Sequence, residues 1–189
     1  TTLVEQPAAQ VMLRPENVGR FDAVLFYDMS GIANAGLVHD DSNDTGQPTD
    51  DYRQSIEALV ASGKGIVMLN HATCSWPEWP LWRQIHGSSF MLTEGEVFGD
   101  TVPGSGYAGG HGPLPNPSFT LSPVDASHPV TAGLEGGLTV ADEIYIKSNN
   151  FEANVLPLMR SDYDYVSSNF TAPPMAPAEQ QEGWTHPGG

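Results

Sequence analysis

Hydrophobic and polar positions follow two regular patterns in the first half of the chain. Residues 21–28 and 64–70 are short, near-continuous apolar runs, typical of strands buried in a parallel sheet. Between these runs, residues 50–62 carry apolar side chains at helical spacing on one face, namely Tyr52, Ile56, Leu59 and Val60. The order strand, helix, strand predicts a right-handed parallel crossover.

Helix boundaries are predicted by capping residues. Thr49 or Asp50 can cap the first helix, and Gly63 suits the position just after its end. The Ser-Trp-Pro-Glu sequence at residues 75–78 fits a capping box with proline in the first turn. It predicts a second helix that runs to Ile85 or His86.

The second half of the chain has a weaker pattern. Glycine and proline dominate residues 95–117, which predicts a long excursion with little regular structure. Residues 119–121, 139–147 and 154–160 are predicted strands, and residues 167–189 contain no convincing core element. With 189 residues and 39% hydrophobic residues, the chain is predicted to form a single domain over 1–189. The predicted fold class is α/β, with a mainly parallel sheet flanked by helices.

The net charge of the chain disfavours some classes of binding partner. Seven Lys and Arg residues against 23 Asp and Glu residues give a formal net charge of −16, which disfavours nucleic acid and membrane surfaces as partners. A neutral polar ligand such as a sugar meets no such barrier, although the acidity can also serve solubility alone. No apolar run approaches the ~20 residues of a membrane span, and no signal peptide is visible, so a cytoplasmic location is expected. The sequence leaves open whether the chain forms a homo-oligomer.

The predicted site follows the two apolar strands. Ligands of open α/β sheets bind beyond the carboxyl ends of strands. Asp28 ends the first predicted strand, Asn70 ends the second, and His71 follows it. The His71 imidazole could transfer protons or ligate a metal, or it could simply tie down the turn. Trp76 is a candidate ligand contact, whereas the spacing of Trp79 and Trp82 favours core packing.

Other reactive side chains have weaker signals. Cys74, the single cysteine, lies near a predicted helix start, but buried inert cysteines are common. His128 precedes a proline and is expected to hydrogen-bond its own turn. His111 lies in a Gly-rich loop, where it could swing over a site or stay solvated. No close metal-type histidine spacing occurs, so no metal or other cofactor is expected.

Four segments in order resemble the ThuA-like family, named for trehalose utilisation. They are residues 21–28, 63–72, 125–134 and 141–145. The family is similar to the class I glutamine amidotransferase fold, a flavodoxin-like three-layer arrangement, and the resemblance implies a role in carbohydrate metabolism. Family elements expected before the first segment and after Trp184 are missing, so the sequence is expected to lack native N-terminal and C-terminal elements.

The resemblance also bears on chemistry. His71 stands where an amidotransferase has its nucleophilic cysteine, and the flanking glycines are absent, so glutaminase activity is not expected. A carboxylate could orient or assist the imidazole, or merely cap backbone N–H groups. The resemblance favours Glu143 over Asp142 for this role. Asp142 and Glu143 are expected to face opposite ways within one strand.

The leading hypothesis is an enzyme of hydrolase, lyase or isomerase type that acts on a sugar or keto-sugar derivative. His71 and Glu143 would be its catalytic residues, and the substrate would be held by Asp28, Asn70, Trp76, His111 and Tyr145. The alternative is a non-catalytic sugar-binding or regulatory module on the same fold. Thiol chemistry at Cys74 is a third and weaker hypothesis.

Overall fold

The computed structural model describes residues 1–32, 47–97, 100–110, 114–147, 149–150, 155–173 and 178–186. The chain divides into two compact units, Thr1–His86 and Gly87–Gly189. Each unit contains its own cluster of buried apolar side chains. The assignment of the whole chain to one domain stays a prediction.

Unit 1 combines helices with a pair of strands. Its elements are α1 (Ala8–Met12), α2 (Pro15–Val18), β1 (Ala23–Phe26), α3 (Asp50–Ala61), β2 (Gly65–Met68), a 3-10 turn (Asn70–Thr73) and α4 (Pro80–His86). The longest of these helices, α3, has 12 residues. No helix in the described part of the chain has the length and apolar character that a bilayer crossing requires.

The predicted order of strand, helix and parallel strand is present in unit 1. Strands β1 and β2 pair in parallel, from Ala23 opposite Gly65 to Phe26 opposite Met68, and α3 lies between them in the sequence. The Thr49 hydroxyl oxygen accepts a hydrogen bond from the Tyr52 backbone N–H at 3.2 Å, which caps the start of α3. The capping signal and the helical spacing therefore predicted this element correctly.

Burial of the strand pair differs from the prediction. Phe26 is buried, but Leu25 is 58% exposed and Val67 is 48% exposed, so one face of the pair is open rather than covered. The core lies against the other face. Its largest members are Phe26, Tyr52, Ile56, Leu59, Trp76, Trp79 and Trp82.

Helix α4 starts later than the capping box predicts. Residues 75–79 form turns, and the helix begins at Pro80. The reason is the backbone of Trp76, which has φ 49° in the left-handed region and cannot continue a right-handed helix. Trp79 and Trp82 are core residues, as their spacing predicts.

Unit 2 is built from short strands. They are β3 (Ser88–Ser89), β4 (Gly95–Val97), β5 (Asp100–Val102), β6 (Gly106–Ala108), β7 (Ser118–Pro123), β8 (Leu138–Ala141), β9 (Ile144–Ile146), β10 (Asn149–Asn150) and β11 (Met159–Ser161), followed by helix α5 (Ala178–Gln181). All the pairs, β3–β10, β4–β5, β6–β9 and the sheet β11–β7–β8, are antiparallel. The mainly parallel sheet is therefore not confirmed. Parallel pairing needs a crossover, usually a helix, and the described residues show no α-helix between β3 and β11.

Three further predictions for this half are corrected. The excursion at residues 95–117 contains β4, β5 and β6, so it has more regular structure than its glycines and prolines indicated. The strand predicted over 139–147 is two strands, β8 and β9, broken at Asp142 and Glu143. Residues 167–189 contribute Phe170 to the unit 2 core, where it packs with Ala108, Phe119, Ile144 and Ile146.

Candidate functional site

Polar residues gather where β1 and β2 end in unit 1. The chain leaves β1 through Tyr27 and Asp28, and it leaves β2 into the 3-10 turn Asn70–Thr73. Because the strands are parallel, both exits lie at the same edge of the pair. Hydrogen bonds tie the two exits together: the Ser75 hydroxyl donates to the Asp28 carbonyl at 2.8 Å, and the Trp76 N–H donates to the Ser30 carbonyl at 2.7 Å.

His71 lies in the 3-10 turn with its imidazole partly buried. The ring stacks on Tyr27, with ring centroids 6.4 Å apart and planes 14° from parallel. Tyr27 is itself 61% exposed, so the pair lies at the protein surface. The turn is held from the core side by the Trp82 indole N–H, which donates to the Ala72 carbonyl at 3.0 Å. His71 thus lies on a turn held by a hydrogen bond from the core, and the residue is partly buried.

Backbone strain brackets the same turn. Asn70 and Trp76 both have φ 49°, and they are the non-glycine residues with positive φ in the part of the chain that the structure describes. Such a conformation is tolerated by asparagine but is an outlier for a bulky side chain, and strained residues cluster at functional sites. Trp76 is 1% exposed and packs on Tyr52 at a centroid distance of 5.5 Å. Its indole therefore supports the loop from within the core.

Asp28 sits in a partly buried polar setting. One carboxylate oxygen, Oδ2, accepts hydrogen bonds from the Gln6 amide and the Ser30 hydroxyl, each at 3.0 Å. Burial nevertheless raises the pKa of the Asp28 carboxyl, because loss of hydration disfavours the charged form more than these two donors favour it.

Tyr52 faces this carboxyl from α3. Burial, and after it the negative charge of Asp28, raise the pKa of the Tyr52 hydroxyl, while the nearby Gln6 and Trp76 side chains oppose that shift. Despite this proximity, no described group completes a well-formed hydrogen bond to the buried polar atoms Gln6 Oε1, Asp28 Oδ1, Tyr52 Oη and Trp76 Nε1. The sequence pattern did not indicate that Gln6 and Tyr52 are neighbours of Asp28. Helical spacing marked Tyr52 only as a core residue, and Gln6 carries no local signal.

Glu143 lies in unit 2, just before β9, where its carboxylate is held on two sides. The Tyr145 hydroxyl donates to Glu143 Oε2 at 2.6 Å. On the other side lies Gly110, with φ 58°, where a Cβ atom would come within 2.2 Å of Glu143 Oε1. Glycine is therefore required at position 110 if the carboxylate is to keep this place.

The glycine turn beside Glu143 is fixed in the same way. The Gly110 N–H donates to Asn116 Oδ1 at 2.7 Å, and Gly109 has φ 84° with that same oxygen close to where its Cβ would be. Asp142 is exposed, and its carboxylate accepts the Glu143 N–H at 2.8 Å. The two acids therefore lie in the break between β8 and β9 rather than at successive positions of one strand. His111, which follows this turn, lies outside the described residues.

His71 and Glu143, the two predicted catalytic residues, belong to different units.

The two other reactive side chains, Cys74 and His128, have contacts typical of structural residues. Cys74 is buried, with its Sγ 3.7 Å from the Thr73 hydroxyl oxygen. His128 Nδ1 accepts the Val130 N–H at 3.2 Å, which confirms its predicted role in the turn. The described ranges contain no group of three or more His, Cys, Asp or Glu residues placed to hold a metal ion.

Comparisons with known proteins identify similar chains. A family model described as ThuA, trehalose utilisation, matches residues 2–188. The crystal structure of a ThuA-like protein from Parabacteroides merdae is similar at 18% sequence identity and a TM-score of 0.47. The match covers 83% of this chain and 63% of the other, so this chain spans less than two thirds of that protein's length. No curated protein matches the sequence.

Proposed function

Because this chain belongs to the ThuA family, described as trehalose utilisation, we propose that it acts in carbohydrate metabolism on a neutral sugar or keto-sugar derivative. The formal net charge of −16 supports a neutral ligand, since the field of such a protein repels anionic substrates such as sugar phosphates. The proposed site is the edge of unit 1 where β1 and β2 end.

The observation that carries this proposal is the setting of His71. Its imidazole lies on a turn flanked by two left-handed residues, Asn70 and Trp76, and it stacks on the exposed Tyr27 ring. The left-handed conformation is strained at Trp76, where it costs on the order of 1–3 kcal/mol, and such strain persists where the surroundings hold it in place. We infer that the fold keeps the turn in this shape to present the imidazole to a ligand.

The chemistry proposed for His71 is proton transfer. An imidazole can accept a proton from a substrate hydroxyl or from a carbon next to a carbonyl, and it can return that proton to another substrate atom. Tyr27 offers an aromatic face on which the apolar side of a sugar ring can stack. Asn70, next in the chain, supplies an amide that can donate to and accept from sugar hydroxyls.

The proposed proton transfer at His71 does not depend on Cys74 or Glu143. The Cys74 thiol is buried and lies three residues beyond His71, which disfavours thiol chemistry. The expectation that Glu143 assists His71 rests on the family resemblance, and it involves a residue of the other unit. The proposal therefore depends on His71.

The test replaces His71 with glutamine, which keeps a polar side chain but cannot transfer protons. The protein is incubated in D2O with trehalose and with keto-sugar mixtures, and mass spectrometry follows new products and deuterium incorporation. We expect His71→Gln to lower turnover by about 10²- to 10⁴-fold, the usual contribution of a positioned proton-transfer group. Its unfolding midpoint should stay close to that of the unchanged protein, because the ring is only partly buried.

His128→Gln is the matched control, since the His128 imidazole accepts a hydrogen bond within its own turn in unit 2 and is not part of the proposed site. This variant should keep full turnover. Full activity in His71→Gln would rule out the mechanism. Saturable sugar binding by the unchanged protein, with no product and no deuterium exchange, would instead support the non-catalytic sugar-binding module.

A further inference from the structure

Trp184 is the one tryptophan of the chain that is not buried in the unit 1 core. Its indole N–H donates to the Gly104 carbonyl at 3.1 Å. The ring edge lies against Gly106, where a Cβ atom would come within 2.5 Å of Trp184 Cη2. The hydrogen bond and the close backbone approach fix the indole while leaving it partly exposed.

Two clefts of unit 2 share Trp184 and Gly183 as walls. The larger has a volume of about 390 Å³ and is also lined by Tyr107, Phe170, Thr171 and Gln181. The smaller, of about 230 Å³, is also lined by Gly104, Pro173, Glu94, Glu179 and Glu182. The larger cleft alone falls within the size range of small-molecule sites, about 300–1,000 Å³.

The lining chemistry of this double cleft favours a neutral ligand rich in hydroxyl groups. Within the described part of the chain, neither cleft is lined by Lys, Arg or His, so an anionic ligand would have no counter-charge there. A fixed indole face suits the C–H side of a sugar ring. Sugar hydroxyls need acceptors, which the Gln181 amide and the Thr171 hydroxyl supply in one cleft and three carboxylates supply in the other.

We propose that the double cleft is a carbohydrate-binding site for a neutral glycoside. One sugar ring stacks on Trp184 in the larger cleft, and the hydroxyls of an attached ring donate to the Glu94, Glu179 and Glu182 carboxylates in the smaller. This inference rests on the proposed function for its ligand class, but it uses none of the residues assigned to proton transfer.

An organic cation is the main competing ligand. The three carboxylates are exposed, so water and salt screen their attraction for a positive charge. Hydroxyl groups donate short-range hydrogen bonds to the same oxygens, and these bonds are stronger to a carboxylate than to a neutral amide. We therefore assign the site to a neutral glycoside, and tetramethylammonium serves as the contrasting probe.

Indole N–H resonances provide a direct readout. The chain has four tryptophans, and three of them, Trp76, Trp79 and Trp82, are 1–4% exposed. Trehalose and methyl α-glucoside are titrated into the 15N-labelled protein, and the four indole signals are followed. We expect a saturable shift of the Trp184 signal, little change in the other three, and tighter binding of trehalose because it has two rings.

Variants then locate the binding energy by calorimetric titration. Trp184→Ala should weaken trehalose binding by about tenfold or more, whereas Trp184→Phe should retain part of it by keeping a stacking face. Glu182→Gln, at an exposed position where substitutions have little effect on stability, should weaken the binding of trehalose more than that of methyl α-glucoside. An equal effect of Glu182→Gln on both sugars would contradict the assignment of the second ring to the acidic cleft.

The outcomes separate this inference from the proposed function. Sugar binding at Trp184 that persists in His71→Gln, while turnover is lost, supports both. Turnover without any sugar-induced shift of the Trp184 signal overturns the cleft assignment and leaves the His71 mechanism standing. A sugar-induced shift of the Trp184 signal without turnover supports the cleft assignment and contradicts the His71 mechanism. A shift caused by tetramethylammonium and by neither sugar also overturns the cleft assignment.

Discussion

At the carboxyl end of β1, Asp28 is partly buried and lies beside Gln6, Ser30 and Tyr52. The net effect raises the pKa of its carboxyl above 3.8, the ordinary value for an aspartate. The folded protein then binds more protons than the unfolded chain as the pH rises above 3.8, so stability falls over that interval. The stabilising contribution of a protonated Asp28 is complete below pH 3.8 and is lost as the pH rises through the folded-state pKa.

The substitution Asp28→Asn tests this sign. An amide keeps an oxygen that can accept from Gln6 and Ser30 but has no proton to lose. We expect the free energy of unfolding of the variant, minus that of the unchanged protein, to increase as the pH rises from 3.8 through the folded-state pKa of Asp28 and then to level off, because only the unchanged protein has to ionise a buried carboxyl group. Urea unfolding at a series of pH values measures the difference.

Ser30→Ala is the companion variant. It removes a donor that stabilises the charged form of Asp28, so the folded-state pKa should rise further and the loss of stability should extend to higher pH. A pH-independent difference for Asp28→Asn, or a smaller loss of stability with pH in Ser30→Ala, would show that burial does not control this carboxyl group.

Among the elements, α3 links the core of unit 1 to its polar edge. It carries the buried side chains of Ile56 and Leu59, and its first turn places Tyr52 beside Asp28. The Thr49 hydroxyl satisfies the Tyr52 N–H, one of the N–H groups that the helix start leaves without an intrahelical partner. The start of α3 therefore determines both a core contact and a neighbour of the candidate site.

Removing this cap should destabilise the protein measurably. We expect Thr49→Ala to lower the free energy of unfolding by about 1 kcal/mol, the typical effect of losing a side-chain cap. Thr49→Ser keeps the capping oxygen and should cost much less. Urea unfolding of the three proteins makes the comparison, and equal losses in Ala and Ser variants would show that the hydroxyl does not act as a cap.

On the scale of the whole molecule, the excess of acidic residues dominates the electrostatics. The net charge of −16 favours solubility but also makes the folded state repel itself. The ion pair between Arg14 and Asp51, at 3.4 Å, is exposed, and pairs of this type add at most about 1 kcal/mol. Local attraction of this kind therefore offsets little of the general repulsion.

Salt should accordingly stabilise this protein. Raising NaCl from about 10 mM to about 150 mM shortens the screening length from about 30 Å to about 8 Å, so the urea midpoint at pH 7 should rise. Sucrose at matched osmolality is the control for effects other than screening. A midpoint that falls or stays constant with added NaCl would show that repulsion between carboxylates is not a significant cost of folding.

Local patterns predicted unit 1 better than unit 2. Helix α3 and the pair β1–β2 are long or apolar enough for periodicity and capping residues to define them. Strands of two or three residues, such as β4 and β6, are set by the partner strand rather than by their own sequence, so residues 95–117 resembled loop. For the same reason, the break between β8 and β9 at Asp142 and Glu143 was not predicted, because an acidic pair is compatible with either a strand or a turn.

By itself, the sequence determined the strand–helix–strand crossover, the core positions of Trp79 and Trp82, the acidic surface and the residues that leave β1 and β2 at one edge. Those properties depend on neighbours along the chain or on composition. Tertiary structure alone decided that the Trp76 side chain lies in the core and that Gln6 donates a hydrogen bond to Asp28, 22 positions away. It also decided that the Glu143 carboxylate occupies the space where a Cβ atom of residue 110 would lie, and that Trp184 lines two clefts. Each of these is a contact between residues distant in sequence, which no local pattern of hydrophobic and polar positions encodes.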